Sequence, residues 1–151
     1  MEKILISRCL LGERVRYDGD NNLSTHPIIE QWKPYWVPLC PEVQGGLPIP
    51  RLPAEIQPDG RVCTIVGGDV TAAFQRGALH ALTLCHQHNI RFAVLKENSP
   101  SCGRHHIYDG QFNGSKISGH GMTTLALLNA GIQVFSEHEL DALVAAINEA
   151  K

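Results

Sequence analysis

Three short apolar runs in this chain each lead into a cysteine, and that pattern constrains the fold more than any other feature. Lys3–Ser7 (KILIS) runs into Arg8-Cys9, and Tyr35–Leu39 (YWVPL) runs into Cys40-Pro41. Ile90–Leu95 (IRFAVL) leads into the polar, turn-forming segment 96–104 that contains Cys102. Continuous apolar runs of this length, rich in β-branched residues, are what a parallel sheet covered on both faces requires. Between the second and third lies a helical pattern capped by Asp69 and ending near Asn89. In it Val70, Ala73, Phe74, Gly77, Ala78, Ala81, Leu82 and Cys85 share one face. Strands alternating with helices predict an α/β fold with a mainly parallel sheet.

The other segments complete that expectation. Ser24 or Thr25, followed by Pro27, predicts a short helix ending before Pro34, and Pro38 argues that the second strand lies at an edge. Segment 41–60 holds Pro41, Pro48, Pro50, Pro53 and Pro58, so it is expected to be a loop ordered by proline rather than a helix, and a loop of that length in a small domain is usually functional. Arg61–Val66 is read as a strand or hairpin arm, and Ile107–Phe112 as a hairpin turning on Asp109-Gly110. A helix from Met122 to Asn129 closed by Gly131, a strand Ile132–Phe135, and a terminal helix with Ser136 and Glu139 as its capping box follow. At 151 residues the whole is expected to be a single Rossmann-like domain, residues 1–151, its sheet flanked by helices.

In such sheets ligands bind beyond the carboxyl ends of the strands. Cys9, Cys40 and Cys102 are placed to meet there, although on position alone three unconnected thiols remain an open reading. Cys63 in mid-strand and Cys85 on an apolar helix face are read as small buried hydrophobes. Three thiolates without an evident fourth ligand differ from a structural zinc site, which closes its tetrahedron with four. They leave one coordination position open, which suits an iron-sulfur cluster with one iron free for substrate. Eight histidines bring no HExxH and no paired Cys/His spacing. His105-His106 is read as a candidate wall of the site, and Gly119-His120-Gly121 only faintly resembles an anion-binding turn. With 13 Lys and Arg against 15 Asp and Glu, the chain lacks the basic field that a nucleic-acid polymer demands. No apolar run reaches the roughly 20 residues that span a bilayer, and the start carries no signal-peptide pattern, so a cytoplasmic location is expected.

Four blocks carry a resemblance to a known family. These are Ser7-Arg8-Cys9-Leu10-Leu11-Gly12, Arg16-Tyr17-Asp18-Gly19, the stretch from Cys40-Pro41-Glu42 to Ile49-Pro50-Arg51, and Lys96-Glu97-Asn98-Ser99-Pro100-Ser101-Cys102-Gly103. In this order, over essentially the whole chain, they resemble the thiouracil desulfurase family. The resemblance implies a 4Fe-4S cluster on Cys9, Cys40 and Cys102. It also implies a non-redox desulfuration of a thiolated small heterocycle such as 2-thiouracil, in which water replaces sulfur. A carboxylate must take the proton of that water, and Glu42, two residues beyond Cys40, is the candidate; a salt bridge to Arg51 is its other reading. Ser101, or Ser99, is the candidate hydroxyl for binding substrate or a cluster sulfide, unless both merely stabilise the turn. Arg8 and Lys96 are candidate cations facing an anionic site. No obligate protein partner is expected. The competing readings are a non-catalytic metal or cluster module, with His105, His106 or a partner protein filling the fourth position, and a hydrolase using Cys102 as nucleophile beside a histidine.

Overall fold

The computed structural model describes residues 1–150. The chain runs β1 (Ile4–Ser7), a 3-10 turn at Arg8–Leu11, α1 (Ile28–Gln31), β2 (Trp36–Leu39), α2 (Pro41–Gln44), β3 (Ala54–Ile56) and β4 (Val62–Thr64). It continues through α3 (Thr71–Gln87), β5 (Phe92–Leu95), β6 (His106–Tyr108), β7 (Lys116–Ser118), α4 (Met122–Asn129), β8 (Gln133–Ser136) and α5 (Leu140–Glu149). Four strands form one sheet in the order β2-β1-β5-β8, every pairing parallel. This is the expected mainly parallel α/β architecture.

Sequence explains the order of the strands. Every residue of β1 and of β5 is buried, whereas β2 and β8 alternate with partly or fully exposed positions. The two wholly buried runs therefore occupy the two central places, and Pro38, which has no N–H to give a second neighbour, lies in the edge strand β2. Successive side chains of β1 point to opposite faces. Ile4 and Ile6 join Trp36, Phe92, Val94, Leu140, Leu143 and Ile147 under α5. Leu5 joins Leu39, Ala81, Ala93, Leu95 and Leu127 under α3 and α4. Burying each of Ile4, Leu5 and Ile6 completely contributes about 1.5–3 kcal/mol, so this short strand anchors both halves of the core.

Helix α3 ends where Asn89 takes φ +53°, a left-handed conformation Asn tolerates, and the Ile90 N–H returns to the Cys85 carbonyl at 2.9 Å. Its other end packs backbone to backbone on α2: a Cβ on Gly77 would stand 2.1 Å from the Pro41 carbonyl oxygen, and one on Gly45 2.0 Å from that of Ala73.

Local expectations differ from the structure in five places. Segment 41–60 is not all loop: Pro41 starts the short helix α2, proline being suited to a first helical position, and Ala54–Ile56 pairs antiparallel with Val62–Thr64. The hairpin beginning at His106 pairs with Lys116–Ser118, so Asp109-Gly110 lies within its connection instead of forming a tight two-residue turn. Val70 is the N-cap of α3, while Asp69 accepts the Thr71 N–H from just outside. Pro27 is the N-cap of α1. Ser136 and Glu139 do bond, the Ser136 N–H reaching Glu139 Oε1 at 2.9 Å, but Glu139 is itself the N-cap of α5, so their exchange closes the turn before the helix.

Candidate active site

Parallel strands end at the same edge, and the register aligns Ser7 with Leu39 and Ile6 with Val94. Because β1 lies between β2 and β5, the segments that follow these three strands are neighbours in space, and the order of the sheet reverses there. A cavity of about 960 Å³ opens at this edge, and Cys9, Cys40 and Cys102 all line it, with Glu42, Ser99 and Arg51.

Local structure fixes each sulfur. Cys9 sits in the 3-10 turn; its carbonyl accepts the Gly12 N–H at 3.2 Å and the Asn22 N–H at 2.9 Å, and Gly12 reaches φ +94° to make that turn. Cys40 is the N-cap of α2. Cys102 lies in a turn where Ser99 Oγ accepts the N–H groups of Ser101 and Cys102 at 3.0 and 3.1 Å. Thr124 Oγ1 donates to the Cys102 carbonyl at 2.8 Å. Behind the turn, Glu97 Oε1 accepts the N–H groups of Asn98, Arg104, His105 and His106 at 3.2, 2.8, 2.9 and 3.1 Å. Burial alone would raise the pKa of the Glu97 carboxyl, and these four donors overcome it, holding the group below the usual glutamate range.

Burial pushes all three thiols up. Each also meets a donor that opposes the shift: the Asn22 side chain at Cys9, the backbone of Val43 and Glu42 at Cys40, and the Ser7 hydroxyl at Cys102. Donors directed at sulfur favour the thiolate. Among the described residues, no group of three or more His, Cys, Asp or Glu side chains is close enough to hold a single metal ion. A single zinc would draw its sulfurs to about 2.3 Å from one point, whereas these thiols line one cavity without closing on a single-ion site. The donor set thus fits a many-atom cluster bound through thiolates better than one ion.

Glu42 makes the salt bridge expected with Arg51 and also lines the cavity. One carboxylate oxygen pairs with Arg51 Nη2, and the other, Oε1, receives Ser99 Oγ at 3.5 Å at the cavity wall. Arg51 also donates to the Val15 carbonyl at 3.0 Å, which fixes the guanidinium and through it the carboxylate. The two serines separate. Ser99 lines the cavity, whereas Ser101 is wholly buried outside its lining, its hydroxyl 2.7 Å from Thr123 Oγ1. Arg8 and Lys96 line the cavity, each already paired, with Glu13 and Glu137 respectively at 2.9 Å.

His105 and His106 lie outside the cavity, in a shallow depression with Lys116, His138 and Glu139, and His105 pairs with Glu139 at 2.9 Å. They are not a wall of the site. No histidine among the described residues lines the cavity, so neither a histidine fourth ligand nor the base of a cysteine hydrolase is in place. A buried Cys102 with a raised pKa is also a poor nucleophile. Gly121 serves close packing: a Cβ there would stand 2.4 Å from the Ser101 backbone, which explains the glycines around His120 without an anion. Cys63 and Cys85 are buried outside the cavity lining, Cys85 in the core packing that also takes in Cys102, and burial pushes the Cys85 thiol up to about 11.

Ser7, Asn22, Glu97 and Thr124 escape sequence reasoning: Ser7, Asn22 and Thr124 act on cysteines distant in the chain, and Glu97 bonds the backbone of its own loop. Only Ser7 and Glu97 lie inside cysteine-bearing blocks that could have pointed to them.

The sequence profile of the 2-thiouracil desulfurase family matches residues 4–139. The chain belongs to this family. A solved structure described as a 4Fe-4S-dependent thiouracil desulfidase, TudS, superposes on this desulfurase-family chain with a TM-score of 0.95 and 49% identity, covering 98% of this chain and 99% of that one. The Uncharacterized protein YbbK of Bacillus subtilis (strain 168) is 39% identical over 152 residues, covering 93% of this chain and 99% of that protein. The family fold and the α/β architecture read from the sequence therefore agree.

Proposed function

We propose that this chain is a non-redox desulfurase that converts the C=S group of 2-thiouracil, or a closely related thiolated heterocycle, to C=O. It does so with a 4Fe-4S cluster held by Cys9, Cys40 and Cys102. The observation that carries the reading is the meeting of three thiols, each with a hydrogen-bond donor, in one cavity that also presents a fixed carboxylate. The desulfidase TudS, alike over nearly the full length of both chains, supports it. The net reaction consumes one water and releases one hydrogen sulfide, with no electrons gained or lost.

Cys9, Cys40 and Cys102 would hold such a cluster, which would supply Lewis acidity toward the thiocarbonyl sulfur. The chain's own residues do the rest. Glu42 accepts the proton of the attacking water through Oε1, while Arg51 keeps its other oxygen engaged and its plane fixed. Ser99 Oγ already accepts two N–H groups, so its own hydrogen is shared between Glu42 and a bound substrate. Ser101, bonded to Thr123, acts from behind by holding the Cys102 turn. The apolar side of the cavity, Leu47, Pro48 and Leu52, suits a flat heterocycle and limits bulk water.

The substrate is a small molecule, and no obligate protein partner is needed. No described helix is long and apolar enough to cross a membrane. Five unpaired cysteines suit a reducing compartment, which supports the cytoplasm. The deciding experiment is iron and acid-labile sulfide analysis after anaerobic reconstitution, followed by sulfide release from 2-thiouracil. About four of each per chain, with uracil and sulfide formed in equal amounts, is the expected result. Zinc in place of iron, or a loaded protein inert toward thiolated pyrimidines, overturns the reading.

A further inference from the structure

Ser7 is the last residue of β1, almost wholly buried between the ends of β1 and β5. Its hydroxyl has two partners. The Lys96 N–H, the first beyond β5, donates to Ser7 Oγ at 3.0 Å. Ser7 Oγ in turn stands 3.7 Å from Cys102 Sγ, within range of an O–H···S bond. A hydroxyl has one hydrogen to give. With Lys96 supplying a hydrogen from one side, the Ser7 hydrogen is directed to the sulfur. A thiolate has no hydrogen of its own, so once Cys102 is deprotonated the bond runs only from Ser7 to sulfur. Ser7 and Cys102 line the cavity but are only 3% and 6% exposed, so little water reaches the bond between them.

We propose that Ser7 is a positioning residue for the Cys102 sulfur, donating a buried hydrogen bond that aims this ligand and draws electron density from it. The inference rests on the proposed role of Cys102 as a cluster ligand. It singles Ser7 out among the donors around the three sulfurs. At Cys40 the donors are backbone N–H groups that no side-chain truncation removes, and Asn22 beside Cys9 divides its side chain with Arg16, whose Nη1 lies 3.2 Å from Asn22 Oδ1. Ser7 is tied by backbone pairing to β2 and through Lys96 to the end of β5, so its hydroxyl has little freedom to turn elsewhere.

Hydrogen bonds to ligand sulfur favour the more negative, reduced state of a cluster and so raise its potential. The test compares anaerobically reconstituted full-length wild type, Ser7→Ala, and the isosteric pair Ser7→Thr and Ser7→Val, measuring midpoint potential and the rate of iron loss to a chelator. Ser7→Ala is expected to load with iron but at a more negative potential, losing iron several-fold faster. Threonine and valine have nearly the same shape and differ by the hydroxyl, so any overpacking is common to both. Ser7→Thr is expected to keep the wild-type potential and Ser7→Val to shift with Ser7→Ala, and the pair decides even if Ser7→Ala does not fold. Loaded Ser7→Thr and Ser7→Val with equal potentials overturn the role of Ser7 and leave the cluster reading intact. Iron retained in Cys102→Ala overturns the cluster reading itself, and this inference with it.

Discussion

Replacing Glu97 by alanine should cost this fold more than any other single polar change around the site. The carboxylate is buried, and its Oε1 alone receives four backbone N–H groups, those of Asn98, Arg104, His105 and His106. A hydrogen bond to a charged acceptor contributes about 1.5–3 kcal/mol net, but four donors on one oxygen are not independent, and water reaches some of them after truncation. A loss of about 3–5 kcal/mol follows, a large part of a total stability of about 5–15 kcal/mol. Glu97→Gln keeps an acceptor and loses the charge, so its loss should be roughly half as large. Urea unfolding of the unloaded chain at neutral pH measures both, with an unchanged slope showing that only stability has moved. Because the folded-state pKa is depressed, this contribution is present above the unfolded glutamate value and disappears as pH falls through the folded one. The wild type should therefore lose stability on acidification below about pH 4.3 more steeply than Glu97→Gln. A Glu97→Ala loss below about 1 kcal/mol, or equal losses for Ala and Gln, would refute the reasoning.

Cys9→Ala, Cys40→Ala and Cys102→Ala should each abolish stable iron loading, while Cys63→Ala and Cys85→Ala keep it and cost packing alone; metal analysis after reconstitution separates the two sets. Glu42→Ala should retain iron and lower turnover by about 10²–10⁴-fold, and unchanged sulfide release would reject it as the base. Gly77→Ala forces a methyl into the Pro41 carbonyl and should cost about 1–3 kcal/mol. It should also reduce iron loading, because the displaced segment carries Cys40 and Glu42; a wild-type melting temperature with full loading would contradict that.

Features that depend on near neighbours in the chain were legible in the sequence. The apolar runs at Ile4–Ser7 and Phe92–Leu95 could be read as buried strands, and Pro38 marked the edge. The meeting of Cys9, Cys40 and Cys102 followed from parallel strands sharing an end, and the family blocks strengthened it. Features set by tertiary contact were not legible. Ser99 and Ser101 are two residues apart in one turn, yet the contact with Thr123 turns Ser101 inward. His105 and His106 are near Cys102 in sequence, but the bonds to Glu97 aim that backbone away from the cavity. The close approach of α2 to α3 shows in the sequence only as two glycines, Gly45 and Gly77, which nothing nearby in the chain links to each other.

The strand order β2-β1-β5-β8 also bears on how the protein is made. Cys9 and Cys40 both precede α3, yet the strand that completes their surroundings, β5, follows the whole of it. The last sulfur comes only with the turn beyond it. Until then β1, the middle of the finished site, has no neighbour on its β5 side, and closing so long a stretch of chain is a slow step. Any group that needs all three sulfurs can therefore be bound only after β5 and the turn beyond it have joined β1.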